Sequence, residues 1–247
     1  TARNATKLTS CASPTRPVST TSPPGPADGE ASVGLDTFTG LNGATGGRSG
    51  KVVIATDFSG INGPFNFFQG QGGNDSIIGN GFTQIAYSNA TSGVTINMEA
   101  GTAVGDVSVG QDSFSGVNSV VGGNLADVYD ATSFTGGAYG PSNSFEGAGG
   151  NDTVTGNGNT QATYFTATAG VTVDLEAGTA DGNASVGHDI ITGGVSGIAG
   201  SNFNDFLYGD GAANFINGVN GDDLLDGRGG NGDFLIGGAG ADTFVYA

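Results

Sequence analysis

The chain has no tryptophan, one cysteine, one methionine, one histidine and only 6 lysines and arginines in 247 residues. The single cysteine, Cys11, excludes an internal disulfide, the usual staple of extracellular domains. Cys11 lies in a Ser/Thr/Pro-rich segment with no base partner, and reads as incidental rather than reactive. No apolar run approaches the ~18 residues of a transmembrane helix. Thr1 to Glu30 also lacks the apolar stretch of a secretory signal peptide. Scarcity of cations is the most telling absence. Against the 6 stand 23 acidic residues, a net charge of −17. Nucleic acid is excluded as a partner, because its phosphates would be repelled. Three of the cations, Arg3, Lys7 and Arg16, fall in the first thirty residues, so the remainder is more acidic still. Such a chain opposes its own compaction unless divalent cations neutralise it. Enzymatic constellations are missing too: there is no H-E-x-x-H and no G-x-S-x-G. The lone His188 aligns with Gln111 and Leu35 in the other copies of its segment, which argues against a shared role. No enzymatic activity is expected.

What is abundant is glycine, 49 residues in all. Gly237-Gly238-Ala239-Gly240-Ala241-Asp242-Thr243-Phe244-Val245 fits the nonapeptide G-G-x-G-x-D-x-U-x, where U is large and apolar. The glycines allow a tight loop that turns carbonyl oxygens and one aspartate inward, and the following triplet forms a short strand. Oxygen donors of this kind suit calcium, a hard cation that takes six to eight of them. The unit recurs in tandem at Gly200 (Asp205), Gly209 (Asn214 in the aspartate place), Gly218 (Asp223) and Gly227 (Asp233, one residue longer). Two more units lie upstream, Gly70 to Ile78 (Asp75) and Gly147 to Thr155 (Asp152). A further unit at Gly122 carries Asp127, but Leu125 replaces its fourth-place glycine, as Phe203 does in the Asp205 unit. The candidate calcium ligands are therefore Asp75, Asp127, Asp152, Asp205, Asp223, Asp233 and Asp242, with loop residues Gly72, Gly149, Gly221 and Gly240. Lys51 stands at the aspartate place of the first copy, where a cation cannot coordinate calcium, and reads as a solvated lysine or as a positive charge in calcium's stead.

From about Ala31 the chain repeats at an offset of 77 residues: Phe68-Gln69-Gly70 to Asp75 matches Phe145-Glu146-Gly147 to Asp152. Val94-Thr95-Ile96-Asn97-Met98-Glu99 likewise matches Val171-Thr172-Val173-Asp174-Leu175-Glu176. Asp36, Asp112 and Asp189 recur in a G-x-D setting, as turn formers or outlying ligands. Asn97/Asp174 and Glu99/Glu176 are expected on solvated strand edges, by alternation. A period of this length is several turns of a solenoid. Short Val/Ile/Thr/Phe triplets between Gly/Asn/Asp turns predict strands, and no segment has a helical apolar period. The predicted fold is all-β: a right-handed parallel β-helix or β-roll with calcium-binding turns. Residues 1–30 read as a flexible Ser/Thr/Pro-rich leader, 31–199 as a β-helix of long repeats, and 200–247 as a nonapeptide β-roll. Aromatic residues are mostly phenylalanines at strand positions, so no sugar-stacking platform is evident. An ice-binding face would need stacked Thr-x-Thr rungs; Thr153-Val154-Thr155 is one, but its counterpart is Ser76-Ile77-Ile78.

Over roughly residues 31–247 the chain resembles the RTX (repeats-in-toxin) calcium-binding proteins, through the nonapeptides quoted above. Its long repeats resemble those of large RTX adhesins and surface-layer or matrix proteins. The resemblance implies bacterial origin, type I secretion and folding outside the cell on calcium. It implies a structural or adhesive role, with contacts to a cell surface or to polysaccharide. The alternatives it leaves are an accessory folding and export module of a secreted enzyme, and an enzyme acting on polysaccharide. Open rungs at the ends of a solenoid further suggest end-to-end self-association into a filament.

Overall fold

The computed structural model describes residues 34–35, 43–45, 50–56 and 65–245. The leader 1–30 with Cys11, and also Asp36, lie outside these residues. The described chain is all-β, apart from one 3-10 turn at Gly137–Tyr139. Its 21 strands form one large, mostly parallel sheet that does not close into a barrel.

The strands fall into two ladders, between which the chain alternates. In the nonapeptide region Phe206–Tyr208, Leu224–Asp226 and Thr243–Val245 pair side by side in the first ladder. Val195–Ala199, Phe215–Asn220 and Phe234–Ala239 pair in the second. Successive nonapeptides therefore place their strands in alternate ladders. Upstream the same alternation holds, but two long strands, Ser76–Ala86 and Gln111–Val121, run through both ladders. The ladders continue without a break across residues 199 and 200.

Apolar residues at alternate strand positions form the core, as the two-residue period of a strand requires. Ile96, Tyr129, Val154 and Ile191 stack in register in the first ladder. Ile85, Val120, Phe145, Ala162, Ile198 and Ile216 do so in the second. All join one buried cluster. Each fully buried aliphatic side chain contributes about 1.5–3 kcal/mol. Where the chain passes between ladders, the corner is closed by a buried Asn–Asn–Thr network. Asn66 donates to Asn80 (2.9 Å) and accepts from Thr83 (2.9 Å). One repeat later Asn143 donates to Asn157 and accepts from Thr160.

The expectation of an all-parallel stack needs one correction. Thr102–Val104 lies antiparallel between Thr95–Asn97 and Gln111–Val121, and Thr179–Asp181 lies likewise between Thr172–Asp174 and His188–Thr192. The cause is the tight turn after Thr95–Asn97 and after Thr172–Asp174. Gly101 and Gly178 adopt φ of +62° and +73° there, and the Asn97 and Asp174 side chains accept the N–H groups of Ala100 and Ala177. Such turns reverse the chain instead of carrying it across to the second ladder.

Candidate functional site

The loop aspartates are brought together in columns that run along the first ladder. In each, the backbone N–H of one residue donates to the carboxylate of the aspartate on the neighbouring strand. One column runs Lys51 to Asp75 (2.7 Å) to Asp112 (2.7 Å). A second runs Val94 to Asp127 (2.6 Å) to Asp152 (2.8 Å) to Asp189 (3.0 Å). A third runs Val171 to Asp205 (2.8 Å) to Asp223 (2.9 Å) to Asp242 (3.2 Å). The units of Asn214 and Asp233 make the same bond (3.0 Å) on the second ladder. The first two columns end at the antiparallel strands, where Asp112 faces Ala103 and Asp189 faces Ala180.

Every candidate aspartate thus occupies an equivalent place. Asp75, Asp127, Asp152, Asp205 and Asp223 are buried, whereas Asp233 and Asp242 are half-buried. Lys51 holds the register position of an aspartate and begins its column through its backbone N–H. Asp112 and Asp189 are buried column members, a role the sequence left open between turn former and outlying ligand.

The first glycine of each unit is explained by the aspartate five residues on. The carboxylate folds back so closely that a β-carbon on Gly147 would stand 1.9 Å from Asp152 Oδ2. On Gly218 it would stand 2.2 Å from Asp223 Oδ2. The fourth-place glycines Gly221 and Gly240 adopt φ of +126° and +140°. In the upstream units the fourth place is Gly73 and Gly150, with φ of +105° and +126°, whereas Gly72 and Gly149 stand one place earlier and do not share that conformation.

The columns carry an electrostatic cost. Asp75, Asp112, Asp152 and Asp223 each have a buried Oδ2 with no hydrogen-bond partner. Burial, the largest cause throughout, pushes Asp152 up to about 8, Asp75 and Asp189 to about 7, and Asp112 and Asp223 to about 6. Neighbouring carboxylates add to the rise: Asp112 acts on Asp75, and Asp189 and Asp127 on Asp152. Asp127 and Asp205 differ because their Oδ2 atoms accept the N–H groups of Gly123 and Ser201 (both 2.6 Å). Beside Gly70 the free oxygens of Asp75 and Asp112 lie 2.9 and 3.6 Å from one β-carbon position. The buried Tyr87 hydroxyl faces Asp112 without completing a hydrogen bond. Tyr164 stands at the matching place 77 residues on, near Asp189 and Asp152. Neither tyrosine was singled out by sequence, although the repeat itself aligns them.

These oxygens are hard donors in need of counter-charge, which suits calcium in kind. In number the side chains fall short of a cage. Among the described residues, no three carboxylate, imidazole or thiol groups converge. A bound ion would draw its remaining oxygens from backbone carbonyls or water.

One expected result follows for the metal-free protein. A carboxyl whose pKa is raised on folding binds its proton more tightly folded than unfolded. Its penalty is absent below pH ~4, the unfolded value, and complete above the folded value. The melting temperature in chelator should therefore fall as pH rises from 4 to 8, opposite to the usual carboxylate behaviour. Thermal melts at pH 5 and pH 8 check this; a higher melting temperature at pH 8 would refute the buried-carboxyl assignment.

Glu176 is exposed and Asp174 half-buried, as the outer face of their strand requires, and both grip the Arg228 guanidinium, 54 and 52 residues away in sequence. Arg228 also lies over the Tyr208 ring, 5.2 Å from its centroid. This fork ties a nonapeptide loop to the upstream repeat. His188 pairs with Asp181 at 2.6 Å on the exposed surface. No helix among the described residues is long and apolar enough to cross a membrane.

The class these observations define is an all-β protein with a large, mostly parallel sheet and buried aspartate columns. No family model matches the chain, and no curated protein matches it.

Proposed function

We propose that this chain is a secreted, calcium-binding structural or adhesive protein of the RTX kind. Its two ladders are the faces of a right-handed β-solenoid, a β-helix that passes into a β-roll, made rigid by calcium along the aspartate columns. The observation that carries this reading is the set of buried, unpartnered carboxylate oxygens on Asp75, Asp112, Asp152 and Asp223. A buried carboxylate without compensation costs several kcal/mol or gives up its charge. The nonapeptide sequence around three of the four supplies the context for a divalent cation in place of protons. Asp75 with Asp112, Asp127 with Asp152 and Asp189, and Asp205 with Asp223 and Asp242 would hold the ions. Calcium would supply the positive charge that neutralises each column. Binding only the folded columns, it would couple folding to the calcium concentration outside the cell. An open stack extends by adding rungs, so end-to-end association of copies belongs to the same proposal.

Calorimetric titration of the metal-free protein tests this. Several ions per chain should bind, with proton release at pH 7 because the raised carboxyls must ionise. Absence of binding at millimolar calcium would overturn the reading.

A further inference from the structure

The outward face of the second ladder carries a polar, uncharged groove of about 390 Å³. Asn118, Ser144, Asn159, Gln161, Gly197 and Phe215 are among the residues that line it. None of its lining residues is charged, in a chain whose net charge is −17. Gln161, Gly197 and Phe215 are successive neighbours in a single outward column. Gly197 lets the Gln161 side chain lean across it, so that the glycine is buried while Phe215 stays exposed beside it. A β-carbon there would stand 3.2 Å from the Gln161 side chain.

The groove has two kinds of contact to offer. The first is neutral hydrogen bonding. The side-chain amides of Asn118, Asn159 and Gln161 make no hydrogen bond among the described residues, so their donors and acceptors are free for a ligand. Beyond Gln161 the column continues through Ser144 and Ser119, whose hydroxyls bond each other at 2.9 Å, to Gln84 (3.0 Å from Ser119). The second is aromatic. Phe215 stacks on Phe234 with ring centroids 5.7 Å apart and planes 12° from parallel. Both rings remain 41% and 59% exposed, so they form a platform rather than a piece of core. The strip from Gln84 to Phe234 covers six strand steps, roughly 30 Å at about 4.8 Å each.

We propose that this strip binds an uncharged polysaccharide. Sugar hydroxyls both donate and accept, which matches amides and hydroxyls. The C–H face of a pyranose packs on an aromatic ring. A lipid or apolar peptide would find only the two rings apolar. An acidic polymer would meet the field of the whole chain. The length suits a chain of sugars rather than one. Sequence pattern hid the platform because Phe215 and Phe234 occupy the outward place of their strands, whereas a strand phenylalanine is normally assigned to the core. The proposal stands on strand pairing alone and does not require calcium in the groove.

The test is affinity electrophoresis of the folded protein in gels containing laminarin, xyloglucan, galactomannan or dextran, with alginate as the acidic counterpart. At least one neutral polymer should retard the protein, and alginate should not. Phe215→Ala and Gln161→Ala should each weaken that retardation about tenfold or more, with the β circular-dichroism spectrum unchanged. Gly197→Gln should abolish it by filling the groove. If Phe215→Ala fails to fold, Gln161→Ala decides alone, because its side chain makes no hydrogen bond among the described residues. Retardation by none of the four neutral polymers, retardation by alginate only, or unchanged retardation in Gln161→Ala would overturn the proposal.

Discussion

Replacing Gly187 by alanine is expected to destabilise the protein by about 3 kcal/mol or more. Gly187 adopts φ of +86°, where an L side chain is strained. A β-carbon would also stand 1.7 Å from the carbonyl oxygen of Gly150 and 2.8 Å from Asn151 Oδ1. Those atoms belong to the nonapeptide loop of Asp152, and Asn151 Oδ1 already accepts the His188 N–H. The backbone of the loop must therefore move, and with it the second aspartate column. The same approach occurs one repeat earlier, where Gly110 has φ of +85° and meets the Gly73 carbonyl oxygen. Gly211→Ala is the control: nothing lies within 4 Å of its β-carbon position. Urea unfolding of the two variants measures the difference. Equal stability would mean that the loop and the strand that follows Gly187 are not packed as described.

The aspartates of the columns should divide into two groups when calcium is chelated. Asp205→Ala removes the acceptor for the N–H groups of Val171 (2.8 Å) and Ser201 (2.6 Å), and for the Ser201 hydroxyl (2.7 Å). Each buried donor left unpaired costs about 1–3 kcal/mol, so a loss of about 3–5 kcal/mol is expected. Asp75→Ala removes the acceptor of one N–H, that of Lys51, and also removes an unpartnered oxygen that lies beside Asp112. The two effects offset each other, so its loss should be less than half that of Asp205→Ala. Calcium should reverse the ranking, since Asp75 then has an ion to hold. Urea unfolding in chelator and in calcium reads both orders. Equal losses in chelator would contradict the assignment of free and occupied oxygens.

Much of this architecture was legible as pattern. The tandem nonapeptides and the repeat at 77 residues place the strands, the loops and the equivalent positions of the aspartates. Lys51 could be aligned with an aspartate by sequence alone, and its backbone holds that place in the first column. What escaped depends on contacts between strands distant in sequence. Asp112 meets Asp75 across 37 residues, and Arg228 meets Asp174 across 54. Period and composition carry no such pairing. The antiparallel strands escaped because Thr102–Val104 and Thr179–Asp181 are triplets like every other. Their only local signal is the Glu-Ala-Gly turn before them, at 99–101 and 176–178. The role of the first glycine was misplaced for a related reason. It answers to the carboxylate five residues on rather than to a turn of its own. The outward phenylalanines show the limit of composition as a guide: alternation gives two faces but does not say which one is wet.

The central claim is that the aspartate columns are completed by calcium, and thermal melting followed by circular dichroism tests it most directly. The metal-free protein at pH 7.5 should be compared in chelator and in millimolar calcium. One site filled at about a thousand times its dissociation constant adds about 4 kcal/mol, or about 10 °C for a chain of this size. Several sites should therefore raise the midpoint by well over about 10 °C, with a β spectrum that sharpens on calcium. The same midpoint and the same spectrum in both solutions would contradict the account.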